Sequence, residues 1–167
     1  MSFNVRQIFA ALNEAQVDYV VVGGLAVILH GYLRATADLD LAIGLASNNA
    51  RRGMQALGAI GLRPRLPMAA EDFADPEKRA EWTQRNMLVF PLWDPDNPLR
   101  SVDVFVDEPI AFDRLLRDAV RKDLDGTIVP VASIDHLIEM KERAGRLRDL
   151  EDIDKLRQIR DAERGGQ

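Results

Sequence analysis

Two kinds of hydrophobic pattern follow each other near the start of the chain. Apolar residues spaced three and four apart predict an amphipathic helix: Val5, Ile8, Phe9 and Leu12. The stretch 17–22 is then rich in β-branched residues and runs into Gly23-Gly24, after which helical spacing returns. The pattern therefore predicts a helix, followed by a strand that turns sharply into a second helix.

Strict alternation of apolar and polar residues follows in the stretch 38–43. Leucine and isoleucine occupy one face, while Asp38 and Asp40 occupy the other. Because successive side chains of a strand point to opposite faces, this alternation predicts a half-buried strand with two carboxylates on its polar face.

The rest of the chain mixes strands and helices. We expect a helix from Ser47 or Asn48 to about Leu62, followed by antiparallel strands over 87–93 and 101–106. A short helix over 109–118 and a hairpin over 120–131 around Asp125-Gly126 come next. From Ser133 onward we expect helices, with a break near Gly145 and a restart near Asp149. Residues 63–84 are predicted to form a variable or mobile insertion. This order predicts an α/β (α+β) fold, a mixed sheet flanked by helices with a helical C-terminal end.

Length and charge limit the alternatives. The 167 residues suit a single domain, 1–167, with a core over about 17–131 and C-terminal helices over about 133–163. The net charge of −5 offers no overall positive field, so any nucleic-acid contact must be local. With no cysteine, no run long enough to span a bilayer and no signal-peptide pattern, we expect a cytoplasmic protein without a membrane segment.

Three aspartates are candidate metal ligands. Asp38 and Asp40 share one strand face, and Asp103 lies in a second strand whose valines occupy the opposite face. If the two strands pair in register, the three carboxylates converge, and like charges held close together require a neutralising cation. Hard oxygen donors of this kind suit Mg²⁺. The alternative is that all three are solvent-facing residues of half-exposed strands.

The Gly23-Gly24 pair is a candidate phosphate site. A strand that enters a helix through two glycines lets the backbone approach a ligand closely and presents amide groups to an anion. Such a pair is also common as a plain tight turn. Its position shortly before the two aspartates favours a triphosphate site beside a metal site.

These residues carry a resemblance to a known family. The segments that carry it are Val21-Val22-Gly23-Gly24-Leu25-Ala26, Arg34-Ala35-Thr36-Ala37-Asp38-Leu39-Asp40-Leu41, Val102-Asp103-Val104-Phe105 and the run from Lys141 to Ile153. They resemble the nucleotidyltransferase superfamily with the DNA polymerase β-like fold, and within it the small AbiEii-like toxin branch. Many members have Gly-Ser where this chain has Gly-Gly, which removes one hydroxyl donor to the phosphate.

The resemblance implies roles for individual residues. Asp38 and Asp40 would bind two metal ions, Mg²⁺ or Mn²⁺, and Asp103 would bind the catalytic one and help to activate the acceptor. Nucleotide binding would fall to Gly23, Gly24, Thr36 and Lys141, with Arg34, Arg148, Asp149 and Asp152 in support. The substrate would be an NTP. The acceptor would be a hydroxyl, on tRNA, a protein or an antibiotic, and a cognate toxin or antitoxin partner is a further expectation.

Several assignments stay open from the sequence. Lys141 continues the apolar stripe of its helix, so its ammonium group either meets an anionic ligand or pairs with a carboxylate. Arg148, Asp149 and Asp152 are better explained as a polar network that positions Lys141.

A basic cluster of Arg51, Arg52, Arg63 and Arg65 either contacts an RNA acceptor or forms a solvated face, and Trp82 and Trp93 belong either to the core or to a base pocket. A catalytically silent nucleotide-binding module is the alternative to an enzyme.

Overall fold

A seven-stranded mixed sheet organises residues 4–166, which the computed structural model describes. The strands are β1 Tyr19–Val22, β2 Leu39–Ile43, β3 Arg63–Pro64, β4 Val89–Asp94, β5 Asn97–Phe105, β6 Val120–Leu124 and β7 Thr127–Val131, in the order β3-β4-β5-β2-β1-β7-β6. The pairs β2/β5 and β1/β7 are parallel and the other neighbours are antiparallel. This confirms the predicted mixed sheet.

Helices flank the sheet, and the C-terminal part of the chain is helical. They are α1 Val5–Glu14, α2 Gly23–Leu29, α3 Ser47–Ala59, α4 Pro76–Gln84, α5 Phe112–Arg117, α6 Ile134–Ala144 and α7 Leu147–Gly165, with a 3₁₀ helix over Ala70–Ala74. The predicted break between the last two helices occurs at Gly145, which has a φ of 63° and ends α6 in the left-handed conformation. Helix α7 begins two residues earlier than predicted, where the Asp149 side chain accepts a hydrogen bond from the Arg146 amide.

The central strands have one buried face and one polar face. Leu39 pairs with Val102 and Leu41 with Val104, and all four side chains are buried. The residues between them, Asp40 and Asp103, therefore share the opposite face. The antiparallel pairing of β4 with β5 and the β6/β7 hairpin are also as predicted.

The prediction that residues 63–84 form a mobile insertion is wrong. Phe73 and Trp82 are buried against Phe90 of β4, with ring centroids 5.6 Å and 5.3 Å away, respectively. Buried Arg79 donates hydrogen bonds to the carbonyl groups of Phe73 and Leu45. The high charge of the segment lies on its outer surface, and three well-spaced large side chains are enough to attach it to the core.

The helices of this fold are short or charged. Within residues 4–166, none combines the length and the apolar character that a bilayer crossing requires.

Candidate active site

Pairing between β2 and β5 brings the candidate carboxylates together. Asp40 lies directly opposite Asp103 in the parallel register, so both side chains emerge on the same face of adjacent strands. Asp38 precedes β2 by one residue, and its carboxylate accepts a hydrogen bond from the hydroxyl of Ser101 on β5. All three aspartates line one cavity of about 470 Å³. The structure thus supplies the register that the sequence pattern alone left open.

Burial and mutual repulsion change the acidity of these groups. Burial, followed by repulsion from Asp103 and Asp38, raises the pKa of Asp40 to about 7, against the opposing influence of Lys141. Burial and the charge of Asp38 also raise the pKa of Asp103, while Arg65 lowers it. In the absence of a cation, the pair therefore retains protons at a pH where ordinary aspartates are ionised.

This shift predicts an unusual dependence of stability on pH. The folded protein holds a proton on Asp40 up to about pH 7, whereas the unfolded chain releases it near 3.8. Because the folded state binds more protons between these values, the free energy of unfolding contributed by this group decreases as the pH rises from about 4 to 7. Melting temperatures measured in chelator across this range should fall more steeply for the wild type than for Asp40→Asn. Parallel curves would contradict the assignment.

The three carboxylates are oxygen donors of the kind that a hydrated divalent cation takes. Among residues 4–166, no group of three or more His, Cys, Asp or Glu side chains has the arrangement of a metal site. Three facing carboxylates whose charges repel are nevertheless the oxygen donors that Mg²⁺ accepts, and this ion usually keeps several waters and takes further ligands from phosphates. Asp38, Asp40 and Asp103 are the carboxylates of this cavity that could ligate such a cation, together with oxygen atoms of a substrate.

The turn between β1 and α2 lies in direct contact with the carboxylates. Gly23 has a φ of 67°, and a Cβ atom placed on it would lie 2.1 Å from Oδ2 of Asp40. A Cβ on Gly24 would lie 2.6 Å from Oγ1 of Thr36, and the Gly24 amide is near enough to Asp40 to lower its pKa. Both glycines line the cavity. Only glycine allows the backbone to approach the aspartate this closely.

Gly23→Ala is expected to destabilise the protein and displace Asp40. The left-handed backbone alone costs about 1–3 kcal/mol for a residue with a side chain, and the contact with Asp40 adds to it. Gly126→Ala is the matched control, because Gly126 also has a positive φ (91°) but nothing lies within 4 Å of its Cβ position. The melting temperature should fall more for Gly23→Ala, and equal losses would show that the close approach to Asp40 is unimportant.

Lys141 is buried in an ion-pair network. Its Nζ lies 2.7 Å from Oδ2 of Asp152 and 3.4 Å from Oδ1 of Asp149, and Arg34 also donates to Asp152. The side chain still lines the cavity between these partners and the carboxylates. Exposed Arg148 lines the same cavity, but among the described residues it makes no hydrogen bond or ion pair. Arg34 takes the position in the network that the sequence assigned to Arg148.

A second cavity of about 380 Å³ opens from the first. Six residues line both cavities: Gly23, Asp40, Asp103, Lys141, Arg146 and Asp149. Its other wall is largely apolar, with Leu88, Val89, Phe105, Leu137 and Met140 among the lining residues. Arg146 was not singled out from the sequence, although a basic residue directly after the helix-ending glycine was an available signal.

The remaining aromatic and basic candidates differ in burial and in the groups that they contact. Trp82 belongs to the core, whereas Trp93 is half-buried on β4. The guanidinium carbon of Arg65 lies 5.4 Å from the centre of the Trp93 ring. Arg63 instead donates to the carbonyl group of Gly58, in the last turn of α3, and to that of Leu62.

Comparison with known proteins gives similarity at the level of structure. No family model matches the chain, and no curated protein matches it by sequence. A candidate nucleotidyltransferase from Thermotoga maritima matches with a TM-score of 0.57 and 15% identity, over 90% of this chain and 88% of that one. ANT(2'')-Ia, solved in complex with adenylyl-2''-tobramycin, matches with a TM-score of 0.55 and 16% identity, over 96% and 95% of the two chains.

A third similar structure is an antigenic nucleotidyltransferase-like protein from Paracoccidioides brasiliensis. Its TM-score is 0.51 at 20% identity, over 92% of this chain and 76% of that one. At these identities the similarity concerns the fold. A mixed sheet flanked by helices, with a helical C-terminal end, is the architecture that this chain shares with these nucleotidyltransferases.

Proposed function

We propose that the protein transfers a nucleoside monophosphate from an NTP to an acceptor hydroxyl, with the help of a divalent cation. The observation that carries this proposal is the pairing of Asp40 with Asp103 beside the Gly23-Gly24 turn, inside one cavity that also reaches Lys141. The resemblance to nucleotidyltransferases in the sequence and the fold shared with three of them support it. The presence of all three carboxylates in this cavity favours an enzyme over a catalytically silent nucleotide-binding or antitoxin module.

The polar cavity suits the triphosphate. Cationic side chains of Arg34, Lys141, Arg146 and Arg148 line it, together with Thr36 and the two glycines. We assign the leaving β- and γ-phosphates to the glycine end of the cavity and to Lys141, with Asp149 and Asp152 holding the lysine in place. The bound cation would be held by Asp38, Asp40 and Asp103, where it would neutralise the developing negative charge and orient the phosphates.

The transfer itself is an in-line displacement. The acceptor oxygen forms a bond to the α-phosphorus, and the bond from that phosphorus to the bridging oxygen breaks, so that pyrophosphate leaves with the electron pair. Asp103 receives the proton of the acceptor hydroxyl.

Labelled NTPs provide the direct test. The protein is incubated with each α-labelled NTP and Mg²⁺ or Mn²⁺, with tRNA, a bacterial protein extract or aminoglycosides as acceptors. Label should move to one acceptor class in the wild type and not in Asp103→Asn. Asp96→Asn, which changes an exposed turn aspartate, is the matched control. Absence of label on every acceptor would favour the silent module.

The acceptor distinguishes two branches of this proposal. A tRNA or protein acceptor would fit the AbiEii-like toxin branch that the sequence resembles, together with a cognate toxin or antitoxin partner. An antibiotic acceptor would parallel ANT(2'')-Ia, a structure of which contains adenylylated tobramycin and which matches nearly the whole chain.

A further inference from the structure

Asp38 is held in place differently from the other two carboxylates of the cavity. Asp40 and Asp103 lie within β2 and β5, where pairing between the strands fixes their backbone. Asp38 is exposed and lies one residue before β2, at the end of the irregular connection 30–38 between α2 and β2. The sheet alone therefore does not determine where the Asp38 carboxylate points.

Side-chain hydrogen bonds hold this connection to the rest of the molecule. At its start, the Tyr32 hydroxyl donates to Glu151 of α7 at 2.7 Å. At its end, the Thr36 hydroxyl donates to the backbone carbonyl group of Asp38 at 3.3 Å, and the Ser101 hydroxyl donates to Oδ1 of the Asp38 side chain. In the described part of the chain, no other group donates to this carboxylate, and its Oδ2 atom accepts no hydrogen bond.

Ser101 is a buried residue of a central strand. It is 7% exposed and belongs to β5, which pairs with β2 on one side and with β4 on the other. Since Leu39 pairs with Val102 in the parallel register, the residues that precede them lie side by side on the polar face of the sheet. Those residues are Asp38 and Ser101, so the hydroxyl attaches an exposed carboxylate to the middle of the sheet.

The same hydrogen bond determines which oxygen atom of Asp38 is free. Because Oδ1 accepts from Ser101, Oδ2 is the atom left to ligate a cation, and Asp38 would offer one oxygen instead of two. Mg²⁺ takes few carboxylate oxygens in a compact octahedron that keeps several waters, whereas Ca²⁺ is larger and accepts both oxygens of a carboxylate. A one-oxygen carboxylate therefore suits the smaller ion.

We infer that Ser101 is a positioning residue, which holds Asp38 as a one-oxygen ligand and favours a small octahedral cation over Ca²⁺. Ser101 lines neither cavity, so it acts through Asp38. The need for a cation comes from the proposed function, on which this role of Ser101 rests. Loss of a group that hydrogen-bonds to a metal ligand typically weakens metal affinity by about 10–100-fold.

Mn²⁺ binding in the absence of nucleotide and acceptor tests this role. Free Mn²⁺ is followed by electron paramagnetic resonance at about pH 8, above the pKa of about 7 of Asp40. Ser101→Ala should bind Mn²⁺ about tenfold or more weakly than the wild type. Its loss of Ca²⁺ affinity, measured by competition against Mn²⁺, should be smaller. Ser101→Thr keeps the hydroxyl and should restore most of the Mn²⁺ affinity.

Two further variants separate positioning from a general effect on folding. Thr83→Ala is the matched control, because the Thr83 hydroxyl donates to the Arg79 carbonyl group within α4 and lines neither cavity. It should bind Mn²⁺ like the wild type. Asp38→Ala should itself weaken Mn²⁺ binding, and adding Ser101→Ala to it should cause no further loss, since the two residues act as one unit.

Several results would overturn this role of Ser101. They are the absence of Mn²⁺ binding by the wild type, unchanged Mn²⁺ affinity in Ser101→Ala, equal losses for Mn²⁺ and Ca²⁺, no recovery in Ser101→Thr, and a further loss in the Asp38→Ala background. If the wild type nevertheless transfers label from an NTP, the proposed transferase function stands. The expected Mn²⁺ results without transfer to any acceptor would instead overturn that function and leave the role of Ser101 in cation binding.

Discussion

Asp103→Asn is expected to reduce nucleotidyl transfer by about 10²–10⁴-fold while leaving NTP binding largely intact. The substitution keeps the size of the side chain but removes the group that accepts the proton of the acceptor. Asp103 is also the carboxylate farther from the glycine turn, since β2, which carries Asp40, lies between β5 and β1. The measurements are transfer of label from an α-labelled NTP and the melting-temperature increase caused by Mg-NTP.

The double variant Asp38→Asn/Asp40→Asn should lose NTP binding as well as transfer. These two carboxylates are assigned to the cation that accompanies the triphosphate, so the melting-temperature increase by Mg-NTP should itself disappear. Asp96→Asn should behave like the wild type in both assays. Wild-type transfer rates in Asp103→Asn would remove this residue from the chemistry.

Lys141→Ala is expected to cost about 3–5 kcal/mol of stability, because it leaves buried carboxylates without their cation. Lys141 is 8% exposed, and Asp149 and Asp152 are 6% and 3% exposed. Arg34 remains to neutralise part of the charge of Asp152. At about 2–4 °C per kcal/mol for a chain of this size, the decrease in melting temperature is easily measured by calorimetry.

Two comparisons show whether Lys141 also serves the nucleotide. Lys122→Ala, on edge strand β6, should change the melting temperature little. The increase caused by Mg-NTP should be smaller in Lys141→Ala than in the wild type, each measured relative to its own ligand-free value. Equal increases would limit Lys141 to the ion-pair network.

Local patterns predicted the elements that position the site. The alternation around Asp38 and Asp40 was enough to place a strand there and to put both carboxylates on its polar face. The same reasoning put Asp103 on the polar face of its own strand. It did not supply the parallel pairing of these strands, because register depends on how distant segments pack, and no local pattern encodes that.

The parts that could not be predicted depend on contacts between distant residues. Ser101 donates to Asp38 across 63 positions, and Arg34 reaches Asp152 across 118. The stretch 63–84 was misjudged because its charged residues outnumber the few large side chains that anchor it. Trp82 packs from α4 against Phe90 of β4, whereas Trp93 lies half-buried on β4 itself, and this difference again depends on contacts between distant segments.

The ion pairs between α6 and α7 have a consequence for how the site is made during synthesis. The sheet strands all precede residue 132, so Asp149 and Asp152, which neutralise Lys141, are translated after every strand. Until α7 docks, Lys141 lacks its carboxylate partners on that helix, so one wall of the cavity is incomplete in the nascent chain. A ribosome-bound chain lacking α7 would therefore hold the three carboxylates in an open cleft. The cavity would be closed on the side of Lys141 only after α7 has been synthesised and has docked.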